Sequence, residues 1–183
     1  MDPKLEDEAS CVKHRFWVKS DFMKLPLSLV IITLNEEAHL ARCIESVPFA
    51  QEIIVVDSLS KDKTREIALR LGAKVIEKPF MGYREQKQFA LDQASCEWVL
   101  SLDADEVLSP ALQAEILARF LNREDQADVD GYKMPRLSFY LGRWIRQGVG
   151  IPIIRRDCSR EQRENGKGER STSRSILMAK WEF

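Results

Sequence analysis

Apolar residues gather in four short runs separated by amphipathic stretches. Leu27 to Leu34 (LSLVIITL), Glu52 to Val56 (EIIVV), Lys74 to Glu77 (KVIE) and Trp98 to Leu102 (WVLSL) read as strands, and none contains Gly or Pro. Between them, apolar residues recur at helical spacing. Leu40, Ile44 and Val47 share one face, and Ile67, Ala68 and Leu71 another, which Gly72 closes. Arg84 to Ala94 reads as a helix with Phe89, Leu91 and Ala94 inward. Ser109-Pro110 caps and starts a fourth helix whose stripe is Leu112, Ile116, Phe120 and Leu121. Thr33-x-x-Glu36 has capping-box spacing and Asn35 is a good cap, so the first helix is predicted to start there. Four strand–helix alternations predict an α/β fold: a doubly wound, mostly parallel sheet flanked by helices, with right-handed crossovers.

Three of these strands end in polar or acidic residues: Asn35-Glu36, Asp57, and Asp103-Ala104-Asp105 with Glu106 behind. Parallel strands bring their carboxyl ends to one edge, where open α/β sheets bind ligands. Asp103 and Asp105 are two apart, so extended backbone would point both to one side. Two converging carboxylates suit a divalent cation, Mg²⁺ or Mn²⁺. A lone D-x-D is equally well a solvated turn before a helix N-terminus. Three acid-ended strands together favour a cation and phosphate site. No G-x-G-x-x-G or G-x-x-x-x-G-K-[ST] is present, which disfavours a dinucleotide fold and a P-loop.

With 183 residues the chain has the length of one domain with tails. A net charge of −1 gives no sign of a nucleic-acid partner. No apolar run is long enough to span a membrane. Cys11, Cys43, Cys96 and Cys158 form no C-x-x-C, which fits structural thiols in a reduced, cytoplasmic setting and disfavours zinc. His14 and His39 are the only histidines. Residues 1–22 mix charges and scattered aromatics and read as an extension, with Met23 as an alternative translation start. The ordered domain is expected over 23–147. The Arg-, Glu- and Ser-rich stretch 148–183 is expected to be a disordered tail.

The motifs LSLVIITLNEEAHLARCIESV, EIIVVDSLSKDKT and WVLSLDADEVLSP, in that order, resemble the family 2 inverting glycosyltransferases of GT-A fold. Within them the likeness is to the bacterial lipopolysaccharide-core glucosyltransferases. It covers Leu25 to Arg146, and GYREQKQFAL resembles the family's loop and helix before the metal strand. The resemblance implies that Thr33, Asn35 and Glu36 line a nucleotide pocket and that Asp57 accepts a hydrogen bond from uracil. It places Lys87 near the base or phosphates. Asp103 would contact the ribose or the metal, and Asp105 would hold the metal on the diphosphate. The implied donor is a UDP-sugar, UDP-glucose first. The implied acceptor is a sugar hydroxyl of a glycan or lipid-linked glycan, with peripheral contact at the inner face of the cytoplasmic membrane.

Asp130 to Ile145 (DGYKMPRLSFYLGRWI) still resembles the family's next strand and acceptor-side loop. Tyr132, Phe139, Tyr140 and Trp144 could face a sugar, although covering the sheet is the simpler role. The acidic or His-Glu motif that supplies the family's catalytic base is not found, which leads to the expectation of a truncated or frame-shifted version of a longer enzyme. Three functions compete: a glycosyltransferase, a nucleotide-sugar-binding remnant without turnover, and a metal-dependent sugar nucleotidyltransferase. The last class carries a Gly-rich basic loop after its first strand, where this chain has Asn35-Glu36-Glu37.

Overall fold

The computed structural model describes residues 23–122, 131–134, 136, 138–141, 143–145 and 151–155. Four strands run parallel: β1 (Leu25–Thr33), β2 (Ala50–Asp57), β3 (Lys74–Glu77) and β4 (Trp98–Asp103). The helices α1 (Leu40–Glu45), α2 (Thr64–Arg70), α3 (Tyr83–Asp92) and α4 (Pro110–Leu121) follow them in turn. Beyond α4 come β5 (Gly131–Met134), β6 (Ser138–Tyr140), β7 (Arg143–Ile145) and β8 (Ile151–Arg155). The main sheet has six strands in the order β3-β2-β1-β4-β8-β5, and β6 and β7 form a separate antiparallel ribbon.

The apolar runs are continuous because the central strands are covered on both faces, yet their residues still sort by alternation. Leu29 and Ile31 of β1, Val55 of β2, and Leu100 and Leu102 of β4 join one core with Leu40, Cys43 and Ile44 of α1, Ala68 of α2, and Leu112, Ile116 and Phe120 of α4. Val30, Ile54, Val56 and Val99 point the other way and pack under Ala90 of α3 and Ala94 just past its end. The doubly wound arrangement expected from the sequence is therefore present. Strand order reverses between β1 and β4, because β2 and β3 lie on one side of β1 and β4 on the other. Ligands in such sheets bind in the crevice at that switch point.

Several local expectations change. The capping box at Thr33–Glu36 does not form: α1 begins at Leu40 and its N-cap His39 makes no side-chain cap. Asn35 instead adopts φ 54°, a left-handed conformation that Asn tolerates better than most residues. The α4 start is as read, with Ser109 Oγ accepting from the Leu112 N–H and Pro110 at the first helical position. Its stripe is narrower, since Leu121 is exposed. Gly72 takes φ 80° beyond α2, as a helix-closing glycine should.

The expected boundary at 147 also moves. Ile151–Arg155 lies inside the sheet as β8, antiparallel to β4 on one side and β5 on the other, with Ile153 buried. The extension 1–22 and most of 148–183 lie outside the described residues, as do the side chains of Phe139, Tyr140 and Trp144. Tyr132 takes the simpler of its two expected roles: it is buried against Trp98, with ring centroids 5.6 Å apart. Gly131 opposes Ile154, and a Cβ built on it would stand 2.7 Å from the Ile153 carbonyl oxygen. Gly131→Ala should destabilise the fold by roughly 1–3 kcal/mol. A melting temperature unchanged within about 1 °C would contradict the β5–β8 pairing.

Candidate active site

A cleft of about 380 Å³ opens at the carboxyl ends of β1 and β4. That is within the size range of small-molecule sites, roughly 300–1,000 Å³. Ile32 and Thr33 from β1 and Asp103 from β4 lie side by side in it, as the Ile32–Asp103 register dictates. Ala104 and Asp105 follow from the turn after β4, and Leu34 and Glu36 from the loop after β1. Ser58 enters from the loop after β2, Phe80 from the loop after β3, and Tyr83 from the first position of α3. The two rings contact edge to face at 5.1 Å and give the cleft an apolar side. Thr33 is almost fully buried, and its Oγ1 has no hydrogen-bond partner among the described residues. Such a hydroxyl is expensive unless a ligand or water meets it.

The walls are held by a seam between two loops. The Asn35 N–H donates to Ser60 Oγ at 2.8 Å, and Asn35 Oδ1 accepts from the Lys61 N–H at 2.8 Å. The Glu36 N–H donates to Thr64 Oγ1, and Glu37 and Asp62 exchange further bonds with the facing loop. Asp57 sits beneath this seam, fully buried. It accepts from the Ser60 N–H at 2.8 Å and from the Ser60 hydroxyl at 2.5 Å. Arg65 lies 3.9 Å from the same carboxylate and also pairs with Glu77. Leu59 between them takes φ 66°, a strained conformation for this residue. Asp57 therefore does not line the cleft; Ser58, one residue on, does.

Asp103 and Asp105 do not share an extended backbone. The strand ends at Asp103, and 104–105 form a turn. Glu106 folds back so that its Oε2 accepts from the Asp103 N–H at 2.8 Å. Both oxygens of Asp103 are engaged: Oδ1 by Lys87 Nζ at 2.7 Å, and Oδ2 by Arg136 Nη2 at 3.2 Å. Arg136 also pairs with Glu106. Burial raises the Glu106 carboxyl above its usual range, against the pull of the Asp103 N–H and of Arg136. Burial, then the charges of Glu106, Asp105 and Asp103, pushes the Cys43 thiol beneath this turn up to about 12. Cys43 is thus a structural thiol, its Sγ–H donating to the Asp103 carbonyl at 3.5 Å. Asp105 is exposed and makes no hydrogen bond or ion pair among the described residues.

Of the residues singled out from the sequence, Thr33, Glu36, Asp103 and Asp105 meet in one cleft. Lys87 reaches it through Asp103. Asn35 braces a wall. Ser58, Phe80, Tyr83 and Arg136 were not singled out. Buried Gln86, whose Nε2 donates to Ser58 Oγ at 3.2 Å, was also missed. For Ser58 a signal existed, since it directly follows an acid-ended strand.

The family model for glycosyl transferase family 2 matches residues 28–177. The chain belongs to glycosyl transferase family 2. The lipopolysaccharide core biosynthesis glycosyltransferase LpsC of Rhizobium meliloti is 39% identical over 147 residues, covering 75% of this chain and 53% of that protein. An uncharacterized glycosyltransferase of Rickettsia typhi is 47% identical over 117 residues, covering 63% of this chain and 40% of its own length. The chain thus spans about half the length, or less, of these family 2 relatives. Among solved structures, S. aureus TarS 1–349 in complex with UDP superimposes with a TM-score of 0.57 at 20% identity, covering 77% of this chain and 49% of that one. Glucosyl-3-phosphoglycerate synthase from Mycobacterium tuberculosis, solved with Mn²⁺, UDP and glucosyl-3-phosphoglycerate, gives 0.53 at 22% identity, covering 72% and 57%. At these identities the two structures establish the GT-A fold for this family 2 chain.

Proposed function

We propose that this chain carries the donor site of a glycosyltransferase that moves a sugar, glucose first, from a UDP-sugar to a lipopolysaccharide-core or related glycan hydroxyl, with inversion. The observation that carries the reading is the cleft itself. An apolar side of Phe80 and Tyr83, a Thr33 hydroxyl without a partner among the described residues and the Asp103–Asp105 turn suit a base at one end and a diphosphate at the other. The LpsC likeness supports the acceptor class.

Among the described residues no three carboxylate, His or Cys side chains form a ready-made metal cage. A Mg²⁺- or Mn²⁺-type ion needs only one or two carboxylates when substrate phosphates supply the rest. Asp105, exposed on the rim and unengaged among the described residues, fits that requirement, and Asp103 fits as a second ligand once a cation partner lets go. Bound there, the ion would supply positive charge to the departing diphosphate. The chain's own part is positional. The loop seam holds Thr33 and Ser58 in place, and Lys87 offers a further positive charge. Inversion requires an acceptor hydroxyl deprotonated by a base on the far face of the sugar. The family's downstream acidic or His-Glu motif is not found in the sequence, so binding without turnover stands as the second reading. No described helix is long and apolar enough to cross a membrane. A cytoplasmic site of action, peripheral to the membrane's inner face, remains part of the proposal.

Calorimetric titration with UDP, with and without Mn²⁺, tests the donor site, and product analysis with UDP-glucose and a core oligosaccharide tests transfer. Metal-strengthened UDP binding is expected. Folded protein that binds no UDP would sink the reading. UDP binding with no transfer would select the non-catalytic form.

A further inference from the structure

Two cations are spent on one carboxylate in the cleft. Lys87, from α3, and Arg136, from the segment after β5, take the two oxygens of Asp103. Arg136 also reaches Glu106, using the same Nη2 for both acids. Its Nε, buried, has no hydrogen-bond partner among the described residues. A guanidinium presents a planar fork of donors, and two carboxylates met through one nitrogen leave that fork half used. Both Lys87 and Arg136 side chains are more than a third exposed, so neither is locked in place.

The charges around the D-x-D turn are nearly balanced without a ligand: Lys87 and Arg136 against Asp103 and Glu106, with Asp105 in excess. A nucleoside diphosphate brings at least two more negative charges beside Asp103 and Asp105. One divalent ion on Asp105 cannot offset all of them. The cations already at Asp103 are the nearest remaining source.

We propose that Arg136 is a diphosphate-binding residue of this cleft, its guanidinium exchanging Asp103 for phosphate oxygens when the nucleotide enters. The inference rests on the donor-site reading above and adds to it a residue that comes from the acceptor-side segment. On this account the phosphates, and not the nucleoside, draw their affinity from Arg136. The exchange also frees Asp103 for the ribose or the cation. Because Arg136 lies between β5 and β6, occupancy of the donor site is felt by the chain that leads to the acceptor side.

The test compares UDP with uridine on the full chain and on its Arg136→Gln and Arg136→Lys variants, by calorimetry for UDP and ligand-observed NMR for uridine. Arg136→Gln should weaken UDP by roughly ten- to a hundredfold, as loss of a charge-assisted bond does, and leave uridine within twofold. Arg136→Lys should recover part of the loss, since it keeps the charge without the fork. In EDTA, residual UDP binding by the unmodified chain should fall further in Arg136→Gln. Equal losses for UDP and uridine would overturn the proposal, because Arg136 would then only hold the turn together through Glu106. UDP binding within twofold of the unmodified chain would overturn it as well. An unmodified chain that binds neither ligand would instead refute the donor-site reading beneath it.

Discussion

Asp105→Asn should make UDP binding indifferent to Mn²⁺ and, on the proposed donor-site reading, lower any sugar transfer by roughly a hundred- to a thousandfold, the scale on which single charge-stabilising groups act. The argument turns on the difference between two neighbouring acids. Asp103 is consumed by Lys87 and Arg136, whereas Asp105 is exposed and makes no hydrogen bond or ion pair among the described residues. No contact among the described residues depends on Asp105, so the melting temperature should move by less than about 2 °C. Asp103→Asn makes the contrast, because it strands two cations as well and should alter stability. The measurements are calorimetry in Mn²⁺ and in EDTA beside a thermal melt. Persistent Mn²⁺ dependence in Asp105→Asn would place the cation on other residues.

Asp57→Ala is expected to cost about 2–4 kcal/mol of stability, because it removes a buried carboxylate that accepts two bonds from Ser60. The melting temperature should fall by roughly 5–15 °C. Uridine and UDP affinities should fall together, since the loop carrying Ser58 loses the clamp that holds Leu59 at positive φ. The resemblance implied a different role, direct hydrogen bonding to uracil. The two accounts separate cleanly. A variant that melts normally but has lost uridine would show that Asp57 touches the base. A variant that melts early and loses both ligands would show that it supports the loop.

The parallel half of the sheet was legible in the sequence because strands buried on both faces write themselves as uninterrupted apolar runs. The carboxyl-edge cleft followed from it, since unpaired acids cannot stay in the dry middle of such strands and collect at their ends. Asn35 misled because one side chain serves two purposes: it caps helices, and it also tolerates the left-handed backbone it adopts here. Arg136 and Gln86 were invisible for a different reason. Their partners, Asp103 and Ser58, are 33 and 28 residues away, and nothing local in either segment records the pairing. The tail boundary was drawn on the Arg-, Glu- and Ser-rich composition of 148–183, within which the five residues of β8 are too short a run to stand out. A proline argues against a central strand, yet β4 pairs with β8 only from Ile153 to Arg155. At Pro152 the strand has β5 alone as its neighbour, so locally it is an edge and the missing N–H is tolerated.

The place of β8 also dictates a timetable for synthesis. Strands β1 to β3 find their neighbours within β1 to β4, but β4 takes β8 on its other side and β5, among the described residues, pairs only with β8, which is made after both. As the chain leaves the ribosome, at roughly 5–20 residues per second, β5 must wait for residues 151–155. Through that interval β4 presents an unpaired edge of WVLSLD to any other strand nearby. Losses to aggregation in the cell should therefore concentrate in this window, and substitutions that disturb Ile153 or Ile154 should reduce soluble yield more than their effect on the finished fold would suggest.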